Sequence, residues 1–240
     1  MKAWRLKAYN QPLSYEEIPD PEITDPTDVI VKIGGAGVCR TDLHLIEGVW
    51  AETLGTPLPF TIGHENAGWV YKKGSSVTEF EIGDPVIVHP VVSCGKCLSC
   101  RAGEDMHCDN LKFPGLTVDG GYAEYLKTSE RALIKLDEHV KPADVAPLAD
   151  AGITAYRAVK KAAPFAKPGT KVLMIGMGGL GHIGVQLMRE FGQADIIAMD
   201  TNDERLNMAL EYGADDGVRG GQNAIAEIRK LTHNKGVDVI

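Results

Sequence analysis

The sequence predicts a mixed α/β protein with two domains, and three observations support this prediction. Short β-rich segments bounded by Gly or Pro occupy the first part of the chain, strands alternate with helices from about residue 153, and a glycine-rich loop follows the first strand of that second part. The chain has 240 residues, of which 44% are apolar and 24% charged. It is therefore long enough to bury one large core or two ordinary ones.

Residues 1–153 form the predicted first domain. Its clearest strands are residues 28–38 (DVIVKIGGAGV), 66–72 (NAGWVYK) and 84–90 (DPVIVHP). Each segment is short, rich in strand-forming residues and bounded by Gly or Pro, which favours a twisted antiparallel β domain.

The predicted second domain comprises residues 154–240, and strands and helices alternate in it. In chain order from about residue 153 the segments are helix ITAYRAVKKA, strand TKVLMIGM, helix LGHIGVQLMREF, strand ADIIAMD, helix DERLNMALEYG, helix AIAEIRKLTH and strand VDVI. Strands separated by helices of about ten residues indicate βαβ units on a parallel sheet.

The loop GMGGLG connects the strand KVLMI to a helix, which is the context of a dinucleotide-binding site. Gly176 permits a tight turn, Gly178 lets the backbone approach a pyrophosphate, and Gly181 lets helix and strand pack closely. The helix N-terminus adds free N–H groups and a positive dipole. The predicted phosphate-binding segment comprises Gly176, Gly178, Gly179, Leu180 and Gly181.

Asp200 ends the next strand, nineteen residues after the last glycine of the loop. A carboxylate there can accept hydrogen bonds from both ribose hydroxyls and repel a 2′-phosphate, which favours NAD over NADP. Alternatively, Asp200 could cap the following helix, although Thr201 and Asn202 could do so equally well. Arg205, one turn into that helix, could reach the ribose or the phosphates.

Four of the five cysteines lie within the segment CGKCLSCRAGEDMHC, and their spacing predicts a zinc site formed by Cys94, Cys97, Cys100 and Cys108. Four thiolates fill a tetrahedral coordination sphere, so this zinc is predicted to be structural and to hold the lobe of residues 92–111. The alternatives are disulfides in an exported protein, or His107 in place of Cys108 as a ligand.

The charge and hydropathy of the chain exclude some partners. A formal net charge of −8 opposes binding to nucleic acid or to an anionic membrane, since both require a basic surface. The start MKAWRLKAYN has no apolar signal region, and no stretch approaches the roughly 18 apolar residues of a membrane span. We therefore expect a cytoplasmic protein. In the cytoplasm, clustered thiols more often bind metals than form disulfides.

Five motifs occur together: CRTDLH, GHENAG, CGKCLSCRAGEDMHC, PLADAGITAY and GMGGLG. In this combination the chain resembles the zinc-dependent medium-chain alcohol dehydrogenases, and the resemblance extends from the first predicted strand to the last residue. It implies a GroES-like antiparallel β domain followed by a doubly wound parallel Rossmann sheet, which here is incomplete.

The resemblance implies a second, catalytic zinc held by Cys39, His64 and Asp150. Many members of the family have Cys at the third position, but a carboxylate oxygen binds zinc at a similar distance and leaves the metal more Lewis acidic. The alternative for Asp150 is an N-cap of the helix GITAYRAVKK. Glu65 resembles the glutamate that lies behind the zinc, and Asp42 resembles the carboxylate that orients the ligand histidine.

The implied reaction is the reversible oxidation of a small alcohol to an aldehyde or ketone, with NAD as the hydride acceptor. Thr41 would take the proton of the alcohol, and His44 would deliver it to solvent, since imidazole titrates near physiological pH. Trp50 matches a position that lines the substrate pocket in relatives, but it could equally be a core residue.

The resemblance also implies two zinc ions per chain and a homo-oligomer, either a dimer or a tetramer. Two alternatives stay open. One is a polyol dehydrogenase of the same superfamily. The other is a fragment that binds zinc and nucleotide without catalysis, because the sequence stops at GVDVI, inside the expected fourth strand of a six-stranded sheet.

Overall fold

The computed structural model describes all residues from Met1 to Ile240 and divides into two compact units, Met1–Asp150 and Ala151–Ile240. Along the chain, the first unit ends three residues before the predicted boundary at residue 153, because the first helix of the second unit already begins at Ala151. The predicted mixed α/β class is confirmed. None of the helices combines the length and the apolar character that a membrane crossing requires.

Eight strands build the first unit: β1 (Lys2–Leu6), β2 (Ser14–Glu17), β3 (Asp28–Gly37), β4 (Phe60–Thr61), β5 (Glu65–Lys73), β6 (Pro85–Val88), β7 (Tyr125–Ser129) and β8 (Leu133–Lys135). They form a three-stranded sheet in the order β2-β1-β4 and a five-stranded sheet in the order β7-β3-β5-β6-β8. All pairings in both sheets are antiparallel. The three strands predicted from the sequence correspond to β3, β5 and β6.

The core of the five-stranded sheet follows from the alternation of side chains along its strands. Val29 and Val31 of β3 and Val86 and Val88 of β6 are two residues apart, and their side chains are buried in one apolar cluster with Leu126 of β7. This cluster fixes the register of β3 and β5, and hence the positions of the residues at their ends.

Short helices connect these strands: α1 (Arg40–Ile46), α2 (Ala51–Leu54), α3 (Leu98–Arg101) and α4 (Pro142–Val145). Single turns of 3₁₀ helix occur at Asp105–His107, Glu130–Ala132 and Ala146–Ala149. Helix α1 carries the motif CRTDLH directly after β3, whereas α3 lies within the cysteine-rich lobe.

The second unit contains strands β9 (Lys171–Ile175), β10 (Asp195–Asp200) and β11 (Asp216–Arg219), and helices α5 (Ala151–Ala162), α6 (Gly181–Phe191), α7 (Asp203–Glu211) and α8 (Ala224–Leu231). A 3₁₀ turn at Ala163–Phe165 follows α5. The strands are parallel in the order β11-β10-β9.

Both faces of this parallel sheet are covered. Val172 and Ile196 belong to a cluster that includes Val185 of α6, whereas their neighbours Leu173 and Ile197 belong to a second cluster that includes Ala224 of α8. Since successive residues of a strand point to opposite faces, the two clusters lie on opposite sides of the sheet, as in a doubly wound fold.

Two predictions for the second unit need correction. Strand β11 was not predicted, because its sequence DGVR is short and mostly polar and sits between glycines. The strand predicted at VDVI forms only an isolated parallel bridge, in which Val239 lies beside Val172. Val239 thus lies on the side of β9 opposite to β10. The order of the strands therefore reverses at β9, and the glycine-rich loop follows the carboxyl end of this strand, the end at which open α/β sheets bind ligands.

Candidate zinc and nucleotide sites

The first unit brings together four potential metal ligands from three distant parts of the chain. Cys39 follows β3, His64 and Glu65 lie at the start of β5, and Asp150 is the last residue of the unit. One ligand atom from each of these residues lies within 4.8 Å of the others. The three predicted ligands of the catalytic zinc are therefore neighbours, and Glu65 lies beside them.

The spacing of these atoms fits a tetrahedral zinc site. His64 Nε2 lies 3.4 Å from Asp150 Oδ2, and Cys39 Sγ lies 3.8 Å from the same oxygen. Ligand atoms bound roughly 2.0 to 2.3 Å from a tetrahedral zinc are about 3.3 to 3.8 Å apart. The Asp150 side chain keeps 25% of its surface exposed, so the group is open to solvent on one side.

The electrostatics of His64 favour a positive charge at this point. Burial of the ring opposes its protonation, but the carboxylates of Asp150 and Asp42 outweigh burial and raise its pKa to about 10. The His64 side chain is only 1% exposed, so water cannot compensate for a missing partner. Either a proton or a metal cation can supply the charge that these acidic groups require.

Asp42 lies behind His64, as the resemblance implied. Its Oδ1 is 3.3 Å from His64 Nδ1, and its Oδ2 accepts a hydrogen bond of 2.9 Å from the backbone N–H of Cys39. The close pair of Oδ1 and Nδ1 is buried, although the two atoms are not aligned as a hydrogen bond. One carboxylate thus contacts two residues of the candidate metal-ligating group.

Glu65 is buried against the end of β3, where Gly37 is its cross-strand partner. A Cβ atom on residue 37 would lie 2.1 Å from Glu65 Oε2, so only glycine leaves room for this carboxylate. The pairing of Gly37 with Glu65 therefore places a buried acid beside the metal ligands.

Thr41 and His44 lie on α1, three residues apart, and therefore share one side of that helix. His44 Nδ1 is 3.3 Å from Glu47 Oε2, and its ring centroid is 5.5 Å from that of Trp50. The His44 side chain is 32% exposed, which suits a residue that exchanges a proton with solvent. Trp50 itself packs on the edge of an apolar cluster around Leu45.

The four clustered cysteines lie close together in the structure. Their sulfur atoms lie within 4.8 Å of one another, with Cys97 Sγ 3.4 Å and Cys94 Sγ 4.0 Å from Cys100 Sγ. Four thiolates about 2.3 Å from a tetrahedral zinc would be about 3.8 Å apart. Cys108 also belongs to this group, and none of the four sulfurs forms a disulfide. His107 is not part of this group.

Backbone N–H groups favour the charged form of one of these sulfurs, Cys94, whereas burial raises the pKa of the Cys100 thiol to about 12. The N–H groups of Lys96 and Cys97 both donate to Cys94 Sγ at 3.4 Å, and they lower the pKa of this thiol to about 6. Hydrogen bonds to the charged form stabilise the thiolate, which is the species that binds zinc. Arg131 links the lobe to the rest of the unit, because it donates to Ser93 and Asp105.

In the second unit, two positions of the glycine-rich loop have a geometry that only glycine fits. Gly176 has a φ of +89°, and a Cβ atom on residue 181 would lie 1.8 Å from the carbonyl oxygen of Gly176. Both positions therefore require glycine. Helix α6 begins at Gly181, so its N-terminus follows Gly178, Gly179 and Leu180 directly and faces the carboxyl end of β9.

Asp200 lies beside this loop, at the carboxyl end of β10. Its Oδ2 accepts a hydrogen bond of 2.6 Å from Met177 N–H, and its Oδ1 accepts one of 2.9 Å from Asn202 N–H. These backbone donors lower the pKa of Asp200, so it is a carboxylate at neutral pH. Arg205 Nη1 lies 4.0 Å from Asp200 Oδ2 and near Gly178.

The alternative role of Asp200 as a helix cap is not supported. Asn202 is the N-cap of α7, since its side chain accepts a hydrogen bond of 3.1 Å from Arg205 N–H. Asp200 instead joins the loop to the end of β10.

Asp150, the other residue considered as a helix cap, directly precedes α5. Its side chain faces Cys39 and His64 in the first unit.

One residue near the ligand group was missed by the sequence analysis. The hydroxyl of the half-buried Tyr122 lies 3.0 Å from Asp42 Oδ2 and 3.0 Å from the carbonyl oxygen of Gly37. Burial and the charge of Asp42 raise the pKa of Tyr122, so the hydroxyl keeps its proton. Eighty positions separate Tyr122 from Asp42, and Tyr122 belongs to no metal-ligand pattern.

Models of two known protein domains match this chain, one in each unit. The model of the alcohol dehydrogenase GroES-like domain matches residues 25–138, and the model of the zinc-binding dehydrogenase domain matches residues 179–240. An NAD-dependent alcohol dehydrogenase of Saccharolobus solfataricus is 38% identical over 100% of this chain and 70% of its own length. A D-arabinose 1-dehydrogenase (NADP(+)) of the same organism is also 38% identical, over 99% of this chain and 68% of its own length.

A solved structure is similar to this protein over almost the whole chain. The alcohol dehydrogenase from Aeropyrum pernix superimposes with a TM-score of 0.93 and 51% sequence identity, over 99% of this chain and 70% of that one. The motifs, the two ligand groups and these similarities agree. The chain therefore belongs to the zinc-binding alcohol dehydrogenase family, in which a GroES-like domain is combined with a zinc-binding dehydrogenase domain.

Proposed function

We propose that this protein oxidises a small alcohol to an aldehyde or ketone, reversibly, with zinc at the reacting oxygen and NAD as the hydride acceptor. The observation that carries the proposal is the meeting of Cys39, His64 and Asp150, with Oδ2 of Asp150 only 3.4 Å from His64 Nε2 and 3.8 Å from Cys39 Sγ. These three residues would hold the catalytic zinc. The exposed side of the group would admit the substrate oxygen.

Zinc, when bound there, supplies the positive charge that acidifies an alcohol hydroxyl. Asp42 faces the His64 ring from behind at 3.3 Å, and Glu65 adds a buried carboxyl group next to the ligands. Thr41 accepts the proton of the substrate hydroxyl and passes it on. His44, whose ring is partly exposed and contacts Glu47, releases that proton to solvent.

The nucleotide loop and Asp200 define the proposed cofactor site. The backbone around Gly178 and the N-terminus of α6 would bind the pyrophosphate. Asp200 would accept hydrogen bonds from the ribose and, as a carboxylate, repel the additional phosphate of NADP. Arg205 would contact the ribose or the phosphates from the side of Gly178.

The second zinc would be structural. Cys94, Cys97, Cys100 and Cys108 offer four sulfurs and leave no ligand position for a substrate. We therefore propose two zinc ions per chain with separate roles, and we expect the catalytic zinc to exchange faster with chelators.

A second candidate is the oxidation of a sugar or polyol. It is supported by the similarity to the D-arabinose 1-dehydrogenase (NADP(+)), which is as high as that to the NAD-dependent alcohol dehydrogenase from the same organism. Asp200 argues against NADP in this chain, since its negative charge lies where a 2′-phosphate would bind.

The test combines enzyme assays with metal analysis. Purified protein with its zinc content measured is assayed for NADH or NADPH formation with primary alcohols, secondary alcohols, polyols and aldoses. We expect NADH formation with a simple alcohol. A preference for aldoses with NADP would favour the second candidate. Zinc at the cysteine group alone, with no activity in any assay, would overturn the proposed function.

A further inference from the structure

The Tyr122 side chain connects the two backbone segments that carry Cys39 and His64. Its hydroxyl lies 3.0 Å from the carbonyl oxygen of Gly37, two residues before Cys39. Its ring covers Gly63, one residue before His64, where a Cβ atom would lie 2.3 Å from Tyr122 Cδ1. Gly63 has a φ of +101°, so this close contact occurs at a position that already favours glycine.

The backbone of Tyr122 is fixed on both sides. Its N–H donates to the carbonyl oxygen of Ile62 at 3.0 Å, and its own carbonyl oxygen accepts a hydrogen bond of 2.7 Å from Trp4 N–H. The backbone of Tyr122 is therefore tied to Ile62, two residues before His64, and the ring projects from this fixed point towards Gly63. This anchoring gives the hydroxyl a defined position.

The same hydroxyl lies 3.0 Å from Asp42 Oδ2, the oxygen that also accepts Cys39 N–H. The other oxygen of Asp42 then faces His64 Nδ1 at 3.3 Å. Asp42 is 1% exposed, so no solvent is available to hold its carboxylate in place. The orientation of Asp42 therefore depends on its two donors, Tyr122 and the backbone of Cys39.

We infer that Tyr122 is a positioning residue for the catalytic zinc. By donating to Asp42 and packing on Gly63, it fixes the orientation of the His64 ring and the separation of His64 from Cys39. The inference rests on the proposed function, since it concerns the ligands of the proposed catalytic zinc. Partners that orient metal-ligating histidines typically contribute 10- to 100-fold to metal affinity.

The test is the rate of zinc release to a chelator from the Tyr122→Phe variant, which keeps the ring over Gly63 and removes the hydroxyl. Wild-type protein should release one zinc quickly, from the Cys39 site, and one slowly, from the cysteine group. We expect the variant to accelerate the fast phase about tenfold or more and to leave the slow phase unchanged. Tyr125→Phe, the same substitution three residues later, is the matched control and should change neither phase.

Two further measurements separate positioning from general destabilisation. The visible spectrum of cobalt(II) bound at the Cys39 site should change in Tyr122→Phe but not in Tyr125→Phe. Combining Tyr122→Phe with Asp42→Asn should accelerate release no more than Asp42→Asn alone, because Tyr122 acts through Asp42.

The outcomes are distinct. An unchanged fast phase in Tyr122→Phe, or fully additive effects in the double variant, would overturn the inference. A variant that loses both phases and its circular dichroism signal would assign Tyr122 to the folding of the first unit and would also overturn it. Wild-type protein without any fast phase would instead contradict the proposed function.

Discussion

The sulfur of Cys39 lies 3.8 Å from an oxygen of Asp150, although 111 positions separate the two residues. Strand β3 delivers Cys39 and the end of the first unit delivers Asp150, while His64 lies 3.4 Å from the same oxygen. A carboxylate thus occupies the position that completes a group with one thiol and one imidazole. This combination of donors is typical of a zinc with an open coordination position.

Replacing Asp150 tests its role as a zinc ligand. We expect Asp150→Ala to lose the rapidly released zinc and to lower kcat/KM by about a hundredfold or more, because two protein ligands cannot hold the ion. Asp150→Cys should retain zinc, since a thiolate binds zinc equally well. Zinc analysis and steady-state kinetics measure both effects. Asp144→Ala, at an exposed position of α4, is the control, and a similar loss in that variant would contradict the assignment.

Replacing Cys100 tests the structural zinc. Cys100 is buried, and its Sγ lies 3.4 Å from Cys97 Sγ. We expect Cys100→Ser to lose one zinc per chain and to lower the melting temperature markedly, because the lobe of residues 92–111 has little apolar core of its own. The neighbouring Ser99→Ala should retain both zinc ions. Full zinc content and an unchanged melting temperature in Cys100→Ser would show that the group does not bind zinc.

Asp200 is predicted to determine the choice between NAD and NADP. Its carboxylate lies beside the glycine-rich loop and 4.0 Å from Arg205. In Asp200→Asn the repulsion of a 2′-phosphate is lost and Arg205 becomes available to it, so we expect the preference for NAD over NADP to fall about tenfold or more. The ratio of kcat/KM values for the two cofactors measures this change. Asp195→Asn, at the other end of the same strand, should leave the ratio unaltered.

The stability of the second unit should depend on pH through Asp215. This carboxylate accepts 2.7 Å and 2.6 Å hydrogen bonds from Ile196 N–H and Arg189 Nη2. Burial acts to raise its pKa, but these donors outweigh burial and lower it. The stabilisation is therefore fully present above the unfolded-state pKa of about 3.9 and is lost as the pH falls through the lower folded-state pKa.

Asp215→Asn tests this dependence. At pH 7 we expect the variant to be less stable by about 1 kcal/mol, allowing for solvent screening of a half-exposed pair. The difference should shrink as the pH is lowered below the folded-state pKa. Thermal melting at neutral and acidic pH provides the measurement, with Glu190→Gln as the control. An equal difference at both pH values would show that the charge of Asp215 contributes nothing.

Much of the candidate site could be predicted because its residues lie in short local patterns. The cysteine spacing indicated one metal group, and the loop GMGGLG with Asp200 indicated a nucleotide site. Both patterns can be recognised within a short stretch of sequence, since a tight turn or a set of closely spaced thiolates requires particular residues at particular intervals. The strand β11 escaped prediction because it is short and polar and gains its stability from pairing with β10.

Other features depend on contacts between distant residues and leave no local pattern. Gly37 is required because Glu65 lies across from it, and Gly63 because the Tyr122 ring lies over it. Gly63 opens the motif GHENAG, but nothing in that local pattern reveals the aromatic ring that lies over it. Their explanation appears only when the antiparallel sheet and the loop before β7 are assembled.

The sequence by itself determined the fold class and the family, and it predicted candidate residues for zinc and nucleotide, because these depend on residue type, spacing and hydrophobic pattern. Only the tertiary structure decided that ligand atoms of Cys39, His64 and Asp150 lie within 4.8 Å of one another, that Asp42 faces His64, and that the Tyr122 hydroxyl lies 3.0 Å from Asp42. The physical reason is that the register of β3 and β5, set by burial of their apolar faces, brings residues from separate segments to one point.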